Sequence, residues 1–227
     1  MKFGCKSTTN TFCQNDGRAN FTDITDSIGV GAPSRPRTGF GTGWFDFDND
    51  GFLDLFVANG AVTAVPIQKS VFPYREPNQL FRNVDGTFED VSEQAGAAVT
   101  DEWVSRGVAL GDIDNDGDTD IVVVNATGPA QLLLNQVGNR ANWIGVDLRV
   151  GGIAGNHARV GAAADGRIQW RTARRDGSYL SSNDPRVLFG LANYLGAVDL
   201  LVAWRDGTTE VWTQIPQQQY HPKRPRG

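Results

Sequence analysis

One acidic loop of nine residues occurs twice in the chain, at 46–54 and at 112–120, and a short apolar run follows each copy. The first copy reads DFDNDGFLD and the second reads DIDNDGDTD. Carboxylates at loop positions 1, 3 and 5 can surround one point only if the backbone turns sharply, and a glycine at position 6 permits that turn. Four carboxylates this close repel one another strongly unless a cation lies between them. The duplicated spacing therefore predicts two calcium sites.

The residues after each loop narrow the choice of ligands. An EF-hand would need a bidentate Glu at position 12 and flanking helices. Position 12 is Val57 or Val123, and each lies in an apolar run that is too short for a helix. The fourth carboxylate is therefore expected at position 9, and a backbone carbonyl is expected at position 7. A shell of four carboxylates, one carbonyl and water contains only oxygen ligands and favours Ca²⁺ over Mg²⁺.

The two sites are predicted to use equivalent ligands. The first site would use the side chains of Asp46, Asp48, Asp50 and Asp54 and the carbonyl of Phe52. The second would use Asp112, Asp114, Asp116 and Asp120 with the carbonyl of Asp118, whose side chain is not expected to bind.

Charge and composition exclude several classes of function. The chain has 227 residues and a net charge of −5, which argues against nucleic acid as its main partner. Its basic run, 221–226, falls in a tail that we expect to be disordered over 216–227. No run approaches the roughly 18 apolar residues of a membrane span.

The expected location is extracellular or periplasmic, because such loops fill most readily where calcium is abundant. The first ten residues lack the apolar stretch of a secretory signal, so we expect that the start of the chain is truncated. Cys5 and Cys13 could form a disulfide in an oxidising compartment.

The loops belong to a repeat with a period of about 67 residues. Residues 21–29 match 88–96, and residues 10–15 match 78–83 and, more loosely, 130–135. Repeats of this length in β-type sequence indicate propeller blades. Only about two repeats are present, and 10–15 resembles the last strand of an earlier blade. Open blade edges could therefore support self-association.

An insertion at 61–76 distinguishes the first repeat from the second. It contains Val65, Ile67, Val71, Phe72 and Tyr74, and is therefore unusually apolar for a surface loop. Insertions of this kind often form the binding face of a repeat array. The segment is either a partner surface or a loop that packs over a neighbouring blade.

The second half of the chain changes to alternating strands without acidic loops. Residues 143–150, 167–171 and 198–204 alternate, and the last run continues through a turn at 205–207 into 209–212 as a hairpin. This pattern predicts a small antiparallel β-sandwich. Its aromatic residues are expected in the core or, alternatively, on a sugar-binding platform; they are Trp170, Tyr179, Trp204 and Trp212.

These motifs resemble two known families in order. The loops and their companion segment at 21–25 resemble integrin-type FG-GAP (VCBS) repeats. The second half resembles the ASPIC and UnbV domain that follows such repeats in the cartilage acidic protein-like family. The pieces that carry this second resemblance are Asn142-Trp143, Gly155-Asn156, Gly161-Ala162, the run Gly177 to Ser181, Phe189-Gly190-Leu191 and the run Trp204 to Gly207. The resemblance implies an extracellular or periplasmic calcium-binding interaction protein.

The predicted architecture is all-β, with partial propeller blades and a C-terminal sandwich-like domain. The expected parts are a remnant of an earlier blade at 1–20, two repeats at 21–137, the ASPIC/UnbV-like domain at 138–215 and the tail. We expect no enzyme, because His157 and His221 are the only histidines and neither has the surroundings of a catalytic base. The expected function is calcium-supported adhesion or binding of a protein or glycan. The alternative is a carbohydrate-binding accessory subunit of an enzyme.

Overall fold

Short β-strands account for most of the ordered backbone. The computed structural model describes residues 9–63, 73–150, 153–154 and 157–223. The first part of the chain contains β1 (Cys13–Asn15), β2 (Phe21–Asp23), α1 (Gly31–Ser34), β3 (Gly39–Phe45), β4 (Asp54–Asn59), β5 (Glu76–Pro77), β6 (Gln79–Val84), β7 (Thr87–Asp90), α2 (Ala97–Thr100), β8 (Glu102–Trp103), β9 (Ser105–Gly111), β10 (Asp120–Asn125) and β11 (Gln131–Leu133). A 3₁₀ turn at Gly138–Arg140 leads into the second part.

The second part contains eight further strands within the described residues. They are β12 (Asn142–Val150), β13 (Ile153–Ala154), β14 (Arg159–Ala164), β15 (Arg167–Thr172), β16 (Val187–Ala192), β17 (Val198–Ala203), β18 (Thr209–Ile215) and β19 (Tyr220–Lys223). The predicted all-β class is confirmed. In the part of the chain that the structure covers, no helix has the length and apolar character needed to cross a membrane.

Two blade-like sheets form the first part. β3, β4, β6 and β7 pair antiparallel in that order, and β9, β10 and β11 form a second sheet of the same pattern. Every residue of β4 is buried, as its apolar run from Leu55 to Ala58 predicts, and the burial includes the polar residues Asp54 and Asn59 at its ends. A Cβ on Gly41 would lie 2.6 Å from the Arg106 carbonyl oxygen, so glycine is needed where β3 lies against β9. Phe56, Val108 and Val123 are among the buried residues that join the two sheets.

β1 lies in the segment predicted to be a remnant of an earlier blade, and it pairs antiparallel with β2 of the first predicted repeat. Its origin in an earlier blade stays a prediction. Cys13 is exposed in β1, and Cys5 lies outside the described residues, so the disulfide stays a prediction. β11 lies at the edge of its three-stranded sheet, where Leu132 and Leu134 are about half exposed. Self-association through such an edge also stays a prediction.

The insertion at 61–76 is anchored at both ends. Ala61 and Glu76 are buried, the Ala61 amide donates to the Tyr74 carbonyl at 3.1 Å, and Thr38 N–H donates to Glu76 Oε2 at 2.6 Å. Of the apolar residues predicted to form a partner surface, Val65, Ile67, Val71 and Phe72 lie outside the described residues, and Tyr74 is partly buried. Their role stays a prediction.

The C-terminal part is a sandwich of two sheets, as predicted. In one sheet the strand order is β15, β14, β17 and β18. In the other, β12 lies between β13 and β16, and β19 also pairs with β12. Alternate residues of β17 are buried. Trp204 and Trp212 lie in the core, which confirms the core interpretation for these two residues. Trp170 and Tyr179 are 40% and 37% exposed, so the core interpretation is wrong for them.

The predicted disordered tail is wrong for its central residues. Tyr220–Lys223 forms β19, which pairs in parallel with β12 from Gly145 to Leu148. The Tyr220 ring lies against Gly145, where a Cβ would overlap it, and contacts the Trp143 ring at a centroid distance of 5.3 Å with the two ring planes tilted by 55°. Residues 224–227 lie outside the described part of the chain. The polar sequence of this segment does not predict a strand, because the strand forms by pairing with β12, which is remote in the chain.

Candidate metal centres

The first acidic loop connects β3 to β4 and draws three carboxylates together. Asp46, Asp48 and Asp50 each place one oxygen within 4.8 Å of the others. Asp46 also organises the turn, because its Oδ1 accepts the Asp50 amide at 3.0 Å and its Oδ2 accepts the Gly51 amide at 2.9 Å. Gly51 has φ +97°, which glycine adopts without the strain of other residues.

The second acidic loop connects β9 to β10 and repeats this arrangement. Asp112, Asp114 and Asp116 again bring oxygens within 4.8 Å of one another. The Gly117 amide donates to Asp112 Oδ2 at 3.0 Å, and Gly117 has φ +91°. The two loops thus fold alike because their glycine and first aspartate occupy the same positions.

The aspartates at position 9 join each loop to the next strands. Asp54 accepts the Phe47 amide at 2.9 Å and the Asn83 amide at 2.8 Å, one on each carboxylate oxygen. Asp120 accepts the Ile113 and Asn135 amides at 2.8 and 2.9 Å in the same way. Both lie outside the two groups of three carboxylates that converge. Since an oxygen with one hydrogen bond retains a second lone pair, their role as fourth ligands stays a prediction.

Position 7 differs between the two loops in burial. Phe52 is partly exposed, and its amide donates to Asp50 Oδ1 at 2.9 Å. Asp118 is fully buried, and its Oδ2 accepts the Asn139 amide at 3.1 Å. The Asp118 side chain therefore fixes the loop to the 3₁₀ turn. The predicted carbonyl ligands at Phe52 and Asp118 stay predictions.

Burial makes the ionised carboxylates costly. Loss of hydration raises the pKa of Asp46 to about 7 and that of Asp54 to about 8, and neighbouring aspartates add to both shifts. Loss of hydration also raises the pKa of Asp118 to about 7 and raises the pKa of Asp120. A cation near these oxygens would offset that cost.

The donor atoms fit a calcium ion. All the converging atoms are carboxylate oxygens, which calcium prefers. Among the buried side-chain atoms of the described residues that have no hydrogen-bond partner are Asp48 Oδ1 in the first loop and Asp112 Oδ1 and Asp118 Oδ1 in the second. Since a buried polar atom without a partner is costly, these oxygens indicate that a ligand is expected in each loop.

Residues outside the loops complete each site. Arg82 on β6 places Nη2 2.7 Å from Asp48 Oδ2 and 3.6 Å from Asp50 Oδ2. At the second loop, Tyr220 OH donates to Asp112 Oδ2 at 2.7 Å, and Arg186 Nη2 donates to the Asp112 carbonyl at 2.5 Å. Asp46 and Asp112 line one cleft with Tyr220 and Arg186.

The loop motif does not identify these neighbouring residues. Arg82 could be found by aligning 78–83 with 130–135, because the two copies differ at this position and the second has Leu134 there. Tyr220 and Arg186 carry no comparable signal, since they lie far along the chain in the sandwich. His157 is exposed with φ +53°, and His221 Nε2 lies 2.8 Å from the Pro216 carbonyl oxygen.

Two known protein families match parts of the chain. Residues 70–123 match the FG-GAP-like repeat family, and 153–223 match the ASPIC and UnbV family. The chain therefore contains a segment similar to FG-GAP-like repeats, followed by a segment similar to the ASPIC and UnbV family, called the ASPIC and UnbV region below. The predicted resemblance is confirmed over these segments. The first match contains the second acidic loop, and the other extends through β19.

Cartilage acidic protein 1 of Xenopus tropicalis is similar to part of the chain. It is 48% identical over 60 residues, which are 26% of this chain and 9% of that protein. The chain therefore matches a small share of that relative's length.

Proposed function

We propose that the two acidic loops each bind one calcium ion and that the protein is a non-catalytic, extracellular or periplasmic interaction protein. The observation that carries this proposal is the pair of three-carboxylate groups, each with a buried oxygen that lacks a hydrogen-bond partner within the described chain. The bound ion would supply positive charge to a loop that otherwise holds like charges together. Calcium is therefore structural in this proposal.

The proposed role of the ions is to fix the blades against the ASPIC and UnbV region. The second loop already contacts that region through Tyr220 and Arg186, and the Asn49 carbonyl of the first loop accepts the Ala192 amide at 2.8 Å. The loops are thus covered on this side. The partner would bind another surface, and the insertion at 61–76 is our candidate.

A protein partner outside the cell is supported by the likeness to cartilage acidic protein 1 and by the FG-GAP-like repeat. Calcium would be abundant in that location. No group of residues in this proposal acts on a substrate.

One exposed tryptophan favours a second candidate function, the binding of glycans. Trp170 lies over Gly161, where a Cβ would come within 3.1 Å of the ring, and Arg159 stacks on Trp170 at 4.9 Å. A flat aromatic ring on an exposed sheet can stack on a sugar face. Binding on a glycan array that Trp170→Ala abolishes would support this role, and no binding would exclude it for the glycans tested.

Thermal unfolding with and without calcium tests the main proposal. At 100 times Kd, one bound ion stabilises the folded state by about 2.7 kcal/mol. Two ions should therefore raise the Tm by about 10–20 °C over the chelated protein. Asp50→Ala and Asp116→Ala should each lose about half of that shift, because each removes one converging carboxylate.

The control variant is Asp101→Ala, which changes an exposed aspartate after α2 and should keep the full shift. Magnesium should give a smaller shift than calcium, because it demands an octahedral shell. Equal Tm values with calcium and with chelator would contradict the proposal.

A further inference from the structure

The two acidic loops are bonded directly to each other. Asn49, at position 4 of the first loop, is fully buried, and its Nδ2 donates to the Gly117 carbonyl and to the Gly138 carbonyl, each at 2.9 Å. Gly117 belongs to the second loop, and Gly138 begins the 3₁₀ turn behind it. One side chain of the first site therefore holds two backbone groups beside the second.

This contact reaches the carboxylates of the second site through one peptide group. The Gly117 carbonyl belongs to the peptide bond whose N–H, on Asp118, donates to Asp116 Oδ1 at 3.2 Å. The Gly117 amide donates to Asp112 Oδ2. A shift of Asn49 would therefore move the backbone that orients two carboxylates of the second site.

A second connection starts beside the second site and reaches the backbone of the first loop. Asn135 comes after β11, and its Nδ2 donates to the Phe47 carbonyl of the first loop at 2.7 Å. Its own amide donates to Asp120 Oδ1 at 2.9 Å. Asn135 thus ties the last aspartate of the second loop to the second residue of the first.

The matching residues in the other copy do not make these connections. Asn115 holds position 4 of the second loop but is exposed, and its Oδ1 accepts Arg186 Nη1 at 2.5 Å. Asn83 corresponds to Asn135, and its Nδ2 donates to Leu53 in its own loop at 2.9 Å. Loop sequence alone therefore does not require the bridges that Asn49 and Asn135 form.

We infer that the two calcium sites are a coupled pair, in which filling either site raises the affinity of the other through Asn49 and Asn135. This inference rests on the proposed calcium binding. Ordering one loop costs conformational entropy, and a neighbour that is already ordered reduces that cost for the second ion. Repulsion between the charges of the two ions opposes this effect, and the inference requires that the ordering effect be the larger of the two.

Calcium titration by calorimetry on the full chain measures the coupling. Asp114→Asn should leave only the first site and Asp48→Asn only the second, each with a stoichiometry of one. Without coupling, the product of the two association constants of the parent protein equals the product of the two single-site constants. We expect the parent product to be about tenfold larger, within the range of known couplings between sites.

Two matched pairs of variants test the route of the coupling. The measured ratio is the parent product of association constants divided by the product of the two single-site constants. Asn49→Asp replaces the donating amide with a carboxylate and should bring this ratio to about one, whereas Asn115→Asp should leave it near tenfold. Asn135→Ala should reduce the ratio and Asn83→Ala should not. Because Asn135 is only partly buried, its variant should fold even if Asn49→Asp does not.

Each result of these titrations separates the two proposals. Two bound ions with a ratio of one or less would overturn the coupling and leave the calcium proposal standing. A tenfold ratio that survives both Asn49→Asp and Asn135→Ala would overturn the role of these side chains. A parent protein that binds no calcium would overturn both proposals.

Discussion

The first and second acidic loops share their glycine, their sharp turn and their three converging carboxylates, but different parts of the chain surround them. Arg82, on a strand of the same blade, faces the first loop at 2.7 Å from Asp48. Arg171 of the sandwich also reaches the first loop, where its Nη2 donates to the Gly51 carbonyl at 3.4 Å. The second loop receives Tyr220 and Arg186 from the sandwich and Asn139 from the 3₁₀ turn. Asn139 Nδ2 also donates to Asp116 Oδ2 at 2.5 Å.

This difference shows that one repeated motif can be supported by different neighbours. The first loop has one arginine from its own blade and one from the sandwich, whereas in the second loop a tyrosine and an arginine of the sandwich bind Asp112. Trp143 of β12 lies directly over Gly117, which makes this contact close. Both loops therefore lie where the blades meet the sandwich.

The largest expected difference concerns the two loop glycines. A Cβ on Gly117 would overlap the Trp143 indole, whereas a Cβ on Gly51 would lie 3.0 Å from Gln169 Nε2, at the flexible end of a side chain. Both have positive φ, which costs an alanine about 1–2 kcal/mol. Gly117→Ala should lower the free energy of unfolding by about 3–5 kcal/mol because overpacking adds to this strain.

Urea unfolding of both alanine variants at saturating calcium measures this difference. Gly51→Ala should lose only about 1–2 kcal/mol. Adding Trp143→Ala to Gly117→Ala should cost less than Trp143→Ala costs the parent protein, since the overlap is then absent. Equal losses for the two glycine variants would contradict the different packing of the loops.

A smaller effect is expected from the Tyr220 hydroxyl. Tyr220→Phe removes the donor to Asp112 Oδ2 but keeps the ring that packs against Trp143. Loss of a hydrogen bond that orients a metal ligand typically lowers metal affinity 10- to 100-fold, and we expect about tenfold at the second site. Calcium titration in the Asp48→Asn background, which retains the second site alone, reports this change.

The control for that variant is Tyr194→Phe, whose hydroxyl donates to the Ala197 carbonyl at 3.2 Å. It should leave the second site unchanged. If Tyr220→Phe also leaves the affinity unchanged, the Tyr220 hydroxyl does not support the second site.

Sequence patterns predict the local parts of this structure well. Spacing places the acidic loops, and alternation in 198–204 and 209–212 predicts the hairpin of β17 and β18. These features depend on neighbours in the chain. Asn49 and Tyr220 differ, because their partners Gly117 and Asp112 are 68 and 108 residues away. Short polar segments such as β19 become strands only when a remote partner pairs with them.

The smallest expected effect comes from Arg82, the arginine of the first blade that faces the first loop. Arg82→Leu introduces the residue that the second copy has at this position, Leu134. Arg82 is 42% exposed, so its ion pairs are worth only about 0.2–1 kcal/mol to the calcium-free fold. Because Arg82 repels an incoming cation, Arg82→Leu should raise calcium affinity at the first site about two- to fivefold.

Titration in the Asp114→Asn background isolates the first site for this comparison. Leu134→Arg is the reciprocal variant, and in the Asp48→Asn background it should lower the affinity of the second site. A fall in affinity for Arg82→Leu would mean that Arg82 orients the ligands of the first site rather than competing with the ion.

Diffraction from crystals grown in millimolar calcium chloride tests the account most directly. We predict one ion in each loop, bound by Asp46, Asp48 and Asp50 in the first and by Asp112, Asp114 and Asp116 in the second, with oxygens about 2.3–2.6 Å away. Anomalous signal at both positions would identify the ion as calcium. Water alone in both loops, or carboxylates turned outward, would contradict the account.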